Sequence, residues 1–288
     1  MPIKKAITLR DVMFLCHPKP KNEQQAKDFK DLANGTLEPP DTWEVALSAG
    51  KDKKETWERL MKENRLGGLA LLRNLRNMKD VGVDEQVIFN ALAEMKVTRI
   101  LPFRFIAAAR YAPQWEPEIE KAMMKCLQSQ ETLPGKTVLL IDVSGSMNGG
   151  LSDKSEMLRM DAAMGLAVLA REVCEYVEII SFSNQVVQIP ARHGFALRDA
   201  IFNSQEHVGT YLGQAIQIIH QNITYDRLIV ITDEQAHDTV PDPKGRGYVI
   251  NVASYKNGIG YGAWIHIDGW SEAVIDYIRE IEKEKEIK

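Results

Sequence analysis

Hydrophobic positions fall into two regimes along the chain, and the change comes near Pro134. From Lys136 onward, short apolar runs alternate with longer amphipathic ones: TVLLIDVS, SEMLRMDAAMGLAVLAREVC, VEIISFS, TYLGQAIQIIHQN, RLIVITD, GYVINVAS and SEAVIDYIREIEK. Continuous apolar strands separated by helices predict a mostly parallel sheet covered on both faces. The helix expected from Glu156 is apolar on nearly every side (Met157, Met160, Ala163, Met164, Ala167, Leu169), the pattern of a helix wedged between the sheet and other helices.

The first half reads as helices. Residues 22 to 33 and 41 to 49 form short ones, split by the breaker GTLEPP. KETWERLMKENRLGGLALLRNLRNM predicts a helix, a break at Gly67-Gly68 and a second helix. DEQVIFNALAEM, PFRFIAAARYA and EPEIEKAMMKCLQS follow at near-regular spacing, which suggests stacked HEAT-like helical repeats. The expected fold class is therefore α plus α/β: a helical repeat segment over 1–134, then a doubly wound α/β domain over 135–288.

A chain of 288 residues, 44% hydrophobic and 26% charged, suffices for two domains that each bury a core. No apolar run approaches the roughly 20 residues of a membrane helix, and MPIKKAITLR lacks the apolar centre of a signal peptide. The expected address is the cytoplasm, with no membrane partner. Cys16, Cys126 and Cys174 are odd in number and free of CxxC spacing, so they predict small core residues rather than disulfides or zinc ligands. The net charge of −4 is uneven: residues 1–134 carry 22 Lys and Arg against 19 Asp and Glu, and the remainder 14 against 21. That imbalance points to an anionic partner for the first half and a cation for the second.

The cation has candidate ligands. Asp142, Ser144 and Ser146 alternate at the end of the strand TVLLI, so all three can face one crevice while Gly145 lets the loop turn tightly. Thr210, after Gly209, brings a hydroxyl at the start of a helix, and Asp233 ends the strand RLIVIT. Two carboxylates and three hydroxyls are hard oxygen donors suited to Mg2+ or Mn2+. Asp and Ser also cap helices, the plainer use of the DxSxS string alone. His207, His237 and Glu234 follow no catalytic spacing, and Glu234 and His237 read as a solvated rim, so a binding protein rather than an enzyme is expected. DVSGSM, the Gly-Thr pair and the ITD strand end resemble the metal-ion-dependent adhesion site of von Willebrand A-type domains. With only two carboxylates among the ligands the ion is not over-neutralised, so an open coordination position is expected to attract an acidic side chain from a partner.

Strings in both halves resemble a second, wider family. DVMFLCHPKP, LALLRNLRNM, TRILPFRFIAAARYA and NVASYKNGIGYGAWIHIDGW are similar to the Ro RNA-binding autoantigens, whose TROVE module joins a helical ring to a von Willebrand A-type domain. The resemblance implies binding of small structured non-coding RNA of the Y class, or of misfolded RNA ends. Family members carry a further helical half-ring ahead of the HPKP segment. A homodimer or a separately encoded N-terminal half is therefore expected, unless MPIKKAITLR caps the exposed face. Read from the residues, Lys19 and Lys21 cluster with Lys27 and Lys30 after His17, and Arg73, Arg76 and Lys79 recur along one helix; such cations can follow a phosphate backbone. His17 before Pro18 is either an RNA contact or a helix-ending core histidine, and Arg73, Arg76 and Lys79 either an RNA contact or a solvated face. Lys51, Lys53 and Lys54, mixed with acids, read as solvated. Trp264 and Trp270 are expected to pack beside the last strand. Two other functions fit parts of the pattern: a metal-dependent adaptor, for instance for an AAA+ ATPase, without RNA binding, and a metal-dependent phosphohydrolase.

Overall fold

The computed structural model describes residues 7–97, 100–128, 131–151, 157–253, 262–269, 271 and 273–286. They divide into two compact units, Met1–Thr56 and Trp57–Lys288. The first unit holds α1 (Leu9–Cys16), α2 (Glu23–Asn34), α3 (Trp43–Ser48) and the start of α4 (Lys53–Lys62). Side-chain caps at Thr8, Asn22 and Thr42 start α1 to α3, each accepting from a backbone N–H of the first turn. Gly35, at φ 74°, ends α2 in the left-handed conformation that glycine adopts freely. Only Ala46 and Thr56 are buried among the described residues of this unit, and α1 exposes Leu9 and Leu15 by 67% and 76%.

α1 was not among the expected helices, and it changes two expectations. His17 ends it with φ 44° as a C-cap, but the ring is exposed, so it is no core histidine. Cys16, expected in the core, is exposed as well, whereas Cys126 and Cys174 are buried as expected. Of the cap expected from MPIKKAITLR, residues 1–6 lie outside the described residues, and Leu9 is exposed on α1.

The second unit continues with α5 (Gly68–Asp80), α6 (Glu85–Glu94), α7 (Phe103–Tyr111) and α8 (Glu116–Leu127), in the places the apolar periodicity predicts. Their core is Trp57, Leu71, Leu75, Met78, Ile88, Phe105 and Ile119. The sheet starts at Leu133: β1 (Leu133–Asp142), β2 (Cys174–Phe182), β3 (Val186–Gln188), β4 (Arg227–Thr232), β5 (Arg246–Asn251) and β6 (Trp264–Asp268), in the order β3-β2-β1-β4-β5-β6. All pairings are parallel except β2 with β3.

Strand burial explains the continuous apolar runs. Every residue of β4 is buried, and Val138 to Ile141 of β1 are at most 1% exposed. One sheet face, with Val138, Leu140, Leu228 and Val230, packs on Leu212, Ile216 and Ile219 of α11 (Leu212–Asn222). The helix expected from Glu156 begins as α9 (Arg159–Val173); Met157 precedes it, and residues 152–156 lie outside the described residues. α9 lies between β1 and β2 on one side and α7, α8 and α10 (Gly194–Phe202) on the other. A Cβ on Gly165 would stand 3.3 Å from Ile106 Cδ1, so the small residue allows α7 to approach α9 closely. Trp264, expected beside the last strand, is the buried first residue of β6 and donates its indole N–H to Pro241 O at 3.0 Å, while Trp270 lies outside the described residues. α12 (Val274–Glu286) follows.

The order of the strands positions the site. From β1 the chain winds outward to β2 on one side, then resumes with β4 on the other. β1 and β4 therefore flank the point where the winding reverses, and in open α/β sheets the crevice beyond the carboxyl ends of such strands receives ligands. Asp142 ends β1 and Asp233 follows Thr232, the last residue of β4.

Candidate metal centre

Asp142 and Asp233 are both fully buried at that crevice. The Asp142 carboxylate accepts from Ser144 N at 2.8 Å and from Thr232 Oγ at 2.6 Å. Burial pushes its pKa up from 3.8 to about 6; the bonds from Ser144 and Thr232 pull it back down in part, and the charge of Asp233 raises it further. Beyond Asp142 a short 3-10 turn, Gly145–Asn148, brings Ser144 Oγ within 3.2 Å of Ser146 Oγ, so the two hydroxyls face a common point.

The loop carrying Thr210 is fastened from below. Ser183 Oγ donates to Gly209 O and accepts from Val208 N, both at 2.9 Å, while Asn184 accepts from Gly209 N at 3.0 Å. Gly145 N donates to Val208 O at 3.3 Å, joining this loop to the one after β1. His207 bonds through Nδ1 to Val143 O at 2.6 Å. After Asp233 the chain returns, with His237 N donating to Thr210 O at 2.9 Å. Three loops thus converge, and Thr210 is 3% exposed within them.

Two residues beside the candidate ligands differ from the sequence expectation. Glu234, read as part of a solvated rim, is buried, with a left-handed φ of 60°. Its N–H donates to Thr232 Oγ at 3.1 Å, and its carboxylate lies 3.3 Å from His266 Nδ1. A non-glycine residue in that backbone region costs energy that the surrounding contacts must offset, a pattern frequent where loops build a site. His237 is exposed, as the solvated reading has it.

Arg159 is the site residue that sequence reasoning missed. Its Nη1 lies 3.0 Å from Asp233 Oδ2 and 3.1 Å from Ser146 O, on a side chain 13% exposed. One signal was available: a charged RMD start to a helix whose next nine residues carry no charge.

The donor set fits a hard divalent cation. Among the described residues no group of three or more His, Cys, Asp or Glu side chains could hold a metal, and the candidate set has two carboxylates with three hydroxyls. Asp142 is a buried carboxylate hydrogen-bonded only by neutral donors, and a nearby cation would relieve the cost of its charge.

The sequence-predicted RNA residues are surface residues of their units. His17, Lys19 and Lys21 are exposed in the first unit, where Lys21 N donates to Gln25 Oε1 at 2.7 Å. Arg73 and Arg76 are exposed on α5 of the second unit, together with Lys79. The Arg76 guanidinium stands 5.7 Å from the centre of the Tyr111 ring on α7, which holds the cation against an aromatic face.

Comparison with known proteins adds three findings. The TROVE domain family model matches residues 30–199, more than half of the chain. The chain is 31% identical over 110 residues to telomerase protein component 1 of Mus musculus, covering 36% of this chain and 4% of that protein. It is 36% identical over 78 residues to the same component of Rattus norvegicus, covering 25% and 3%. The chain thus spans only a few per cent of the length of these relatives. Among solved structures, the Ro (RSR) protein of Deinococcus radiodurans matches at a TM-score of 0.66 and 18% identity, over 94% of this chain and 70% of that one. The match shows a common fold, helices followed by the α/β sheet.

Proposed function

Because the chain belongs to the TROVE domain family, of Ro type, we propose that it is an RNA-binding protein whose helical half takes small structured non-coding RNA or misfolded RNA ends. The family match carries this reading. It is supported by the exposed α5 face, where Arg73, Arg76 and Lys79 can follow phosphates and the Arg76–Tyr111 pair offers a flat surface to a base. His17, Lys19 and Lys21 are the contacts proposed on the first unit. The proposed division puts RNA binding in 1–134 and metal binding in 135–288, a von Willebrand A-type domain.

At the sheet crevice, Asp142, Ser144, Ser146, Thr210 and Asp233 would hold Mg2+ or Mn2+. A divalent ion held there supplies an open coordination position able to take a carboxylate from an acidic protein partner. The chain's own residues do the rest: Thr232 and the Ser144 amide orient Asp142, the Ser183 and Asn184 bonds fix the Thr210 loop, and burial keeps water from the carboxylates. We read the activity as binding rather than catalysis. Asp142 and Asp233 are taken up as ligands, and Glu234 is bonded toward His266.

We place the protein in the cytoplasm; among the described residues no helix is long and apolar enough to cross a membrane. The exposed apolar side chains of α1 support association with another helical surface, for instance a second copy of this chain. Sequencing of RNA crosslinked to the protein in its native cell tests the RNA reading. Enrichment of small structured RNAs, reduced by charge reversal at Arg73 and Arg76, is the expected result, and an RNA profile no different from a non-binding control would overturn it.

A further inference from the structure

We infer that the Arg159 guanidinium is a built-in counter-cation of the metal site, holding Asp233 and the Ser146 loop together while no metal is bound and weakening the affinity for the metal that takes its place. The inference rests on the metal reading above and goes beyond it, since it concerns how the site is kept when empty and what sets its affinity.

The geometry is that of a bridge. A single nitrogen, Nη1 of Arg159, reaches Asp233 Oδ2 at 3.0 Å and Ser146 O at 3.1 Å, so it joins two of the residues that would hold the ion. Asp233 is fully buried and Arg159 nearly so, and a charge-assisted bond in such surroundings is stronger than one in water. The two carboxylates are treated differently: Asp142 is met by neutral donors, Asp233 by a full positive charge.

A seat is prepared for the guanidinium. A Cβ on Gly149 would stand 3.0 Å from Arg159 Cζ, so the absence of a side chain at 149 makes room for it. The chain folds back to deliver it: Gly150 pairs with Leu158 in an antiparallel bridge, and Arg159 N donates to Gly149 O at 3.0 Å. The base of the side chain is fixed too. Asp161 accepts from Leu158 N at 2.8 Å and pairs with Arg110 of α7, tying the first turn of α9 to the helical segment. With its base held, Arg159 can leave Asp233 only by swinging its own arm.

Two cations drawn to one carboxylate oppose each other, and linkage makes the effect reciprocal: whatever the guanidinium gains from Asp233 is subtracted from metal binding if the metal must displace it. If Arg159 instead only orients Asp233 for the ion, its removal would weaken metal binding. The two roles predict opposite signs.

The test is calorimetric titration of Mn2+ into the full chain, as wild type, Arg159→Gln, Arg159→Lys, Gly149→Ala and Asp233→Ala, with melting in EDTA and in saturating Mn2+ alongside. Arg159→Gln is expected to bind Mn2+ about tenfold tighter than wild type, to melt lower in EDTA, and to regain its stability in Mn2+. Arg159→Lys keeps a cation and should stay near wild type. Gly149→Ala would crowd both ends of the bridge, Arg159 Cζ at 3.0 Å and Ser146 O at 3.2 Å, without changing any charge, and should tighten binding in the same direction, which keeps the proposal testable if Arg159→Gln fails to fold without metal. Binding by Arg159→Gln alone, with none in wild type, would also support it. Equal or weaker binding in both Arg159→Gln and Gly149→Ala, with wild-type binding still abolished in Asp233→Ala, overturns this inference and leaves the metal reading standing. No binding in any variant, or binding that Asp233→Ala leaves intact, overturns both.

Discussion

Asp142→Asn should make the metal-free protein more stable at neutral and alkaline pH, although it removes a candidate ligand. Asp142 is fully buried and its folded-state pKa is about 6 against an ordinary 3.8. The folded protein therefore holds the proton more tightly than the unfolded chain. The stability this contributes is complete below pH 3.8 and is lost as pH rises through about 6. Above that, keeping the carboxylate charged costs about 3 kcal/mol at 1.36 kcal/mol per pH unit. Asparagine has the same shape and no charge, and its oxygen can still accept from Ser144 N at the 2.8 Å seen here. The Thr232 hydroxyl must then turn to accept from the new amide, which offsets part of the gain, so about 1–2 kcal/mol should remain, or a few degrees in melting temperature. Denaturant unfolding in EDTA at pH 5 and pH 8 measures it. The variant should exceed wild type at pH 8 and lose its advantage toward pH 5, and saturating Mn2+ should reverse the order. A variant less stable than wild type at pH 8 in EDTA, or a difference that does not change with pH, would refute the reasoning.

Other outcomes follow from the same structure. At a hundredfold excess over its Kd, Mn2+ should stabilise wild type by about 2.7 kcal/mol and give nothing to Asp233→Ala, as read by melting with and without EDTA. Charge reversal at Arg73 and Arg76 should weaken RNA binding about uniformly across sequences and reduce the slope of log K against log salt by roughly one for each phosphate no longer neutralised, measured by gel shift at several salt concentrations. Arg227→Met takes a buried guanidinium from Glu282, which keeps Arg246 Nη1 at 2.8 Å and the Tyr248 hydroxyl at 2.9 Å, so it should cost about 1.5–3 kcal/mol in denaturant unfolding. Burial raises the Glu282 carboxyl, but Arg227, with Tyr248 and Arg246 beside it, holds it below 4.5, so the stability these contacts contribute is present above that pH and is lost as pH falls through the lowered value. A stability gap between wild type and Arg227→Met that persists unchanged at pH 3 would contradict this.

How much was legible in the sequence depended on whether the signal was local. β1, β4 and β5 read clearly because they are buried along most or all of their length, and helices α5 to α8 because their apolar stripes pack on neighbours. The positions of the candidate ligands were legible in part: Asp142 and Asp233 lie at strand ends as the apolar runs predict, whereas Ser146 lies in the 3-10 turn that follows β1 rather than on extended strand. Helix α1 was not legible, since its apolar residues stay exposed and leave no face to recognise, and Cys16 followed it to the surface. β3 and α10 went unassigned: a three-residue antiparallel edge strand is too short to show a period, and α10 starts at Gly194 with a protein carboxylate, Glu120, bonding the Phe195 amide from 75 residues away. Arg159 and Glu234 were hidden for a similar reason. The partner of Arg159 is 74 residues distant, and nothing in the string TDEQAH says that the glutamate turns inward.

The account stands or falls on RNA binding by the helical segment. The most direct measurement is a salt-dependent gel shift of the purified full chain with a small structured RNA, comparing wild type, the Arg73/Arg76 charge reversal and Asp142→Ala. The account predicts binding that weakens steeply with salt, falls in the charge reversal with a flatter slope, and is left largely intact in Asp142→Ala. Wild-type binding no stronger than that of the charge-reversed protein, or binding abolished in Asp142→Ala alone, would contradict it.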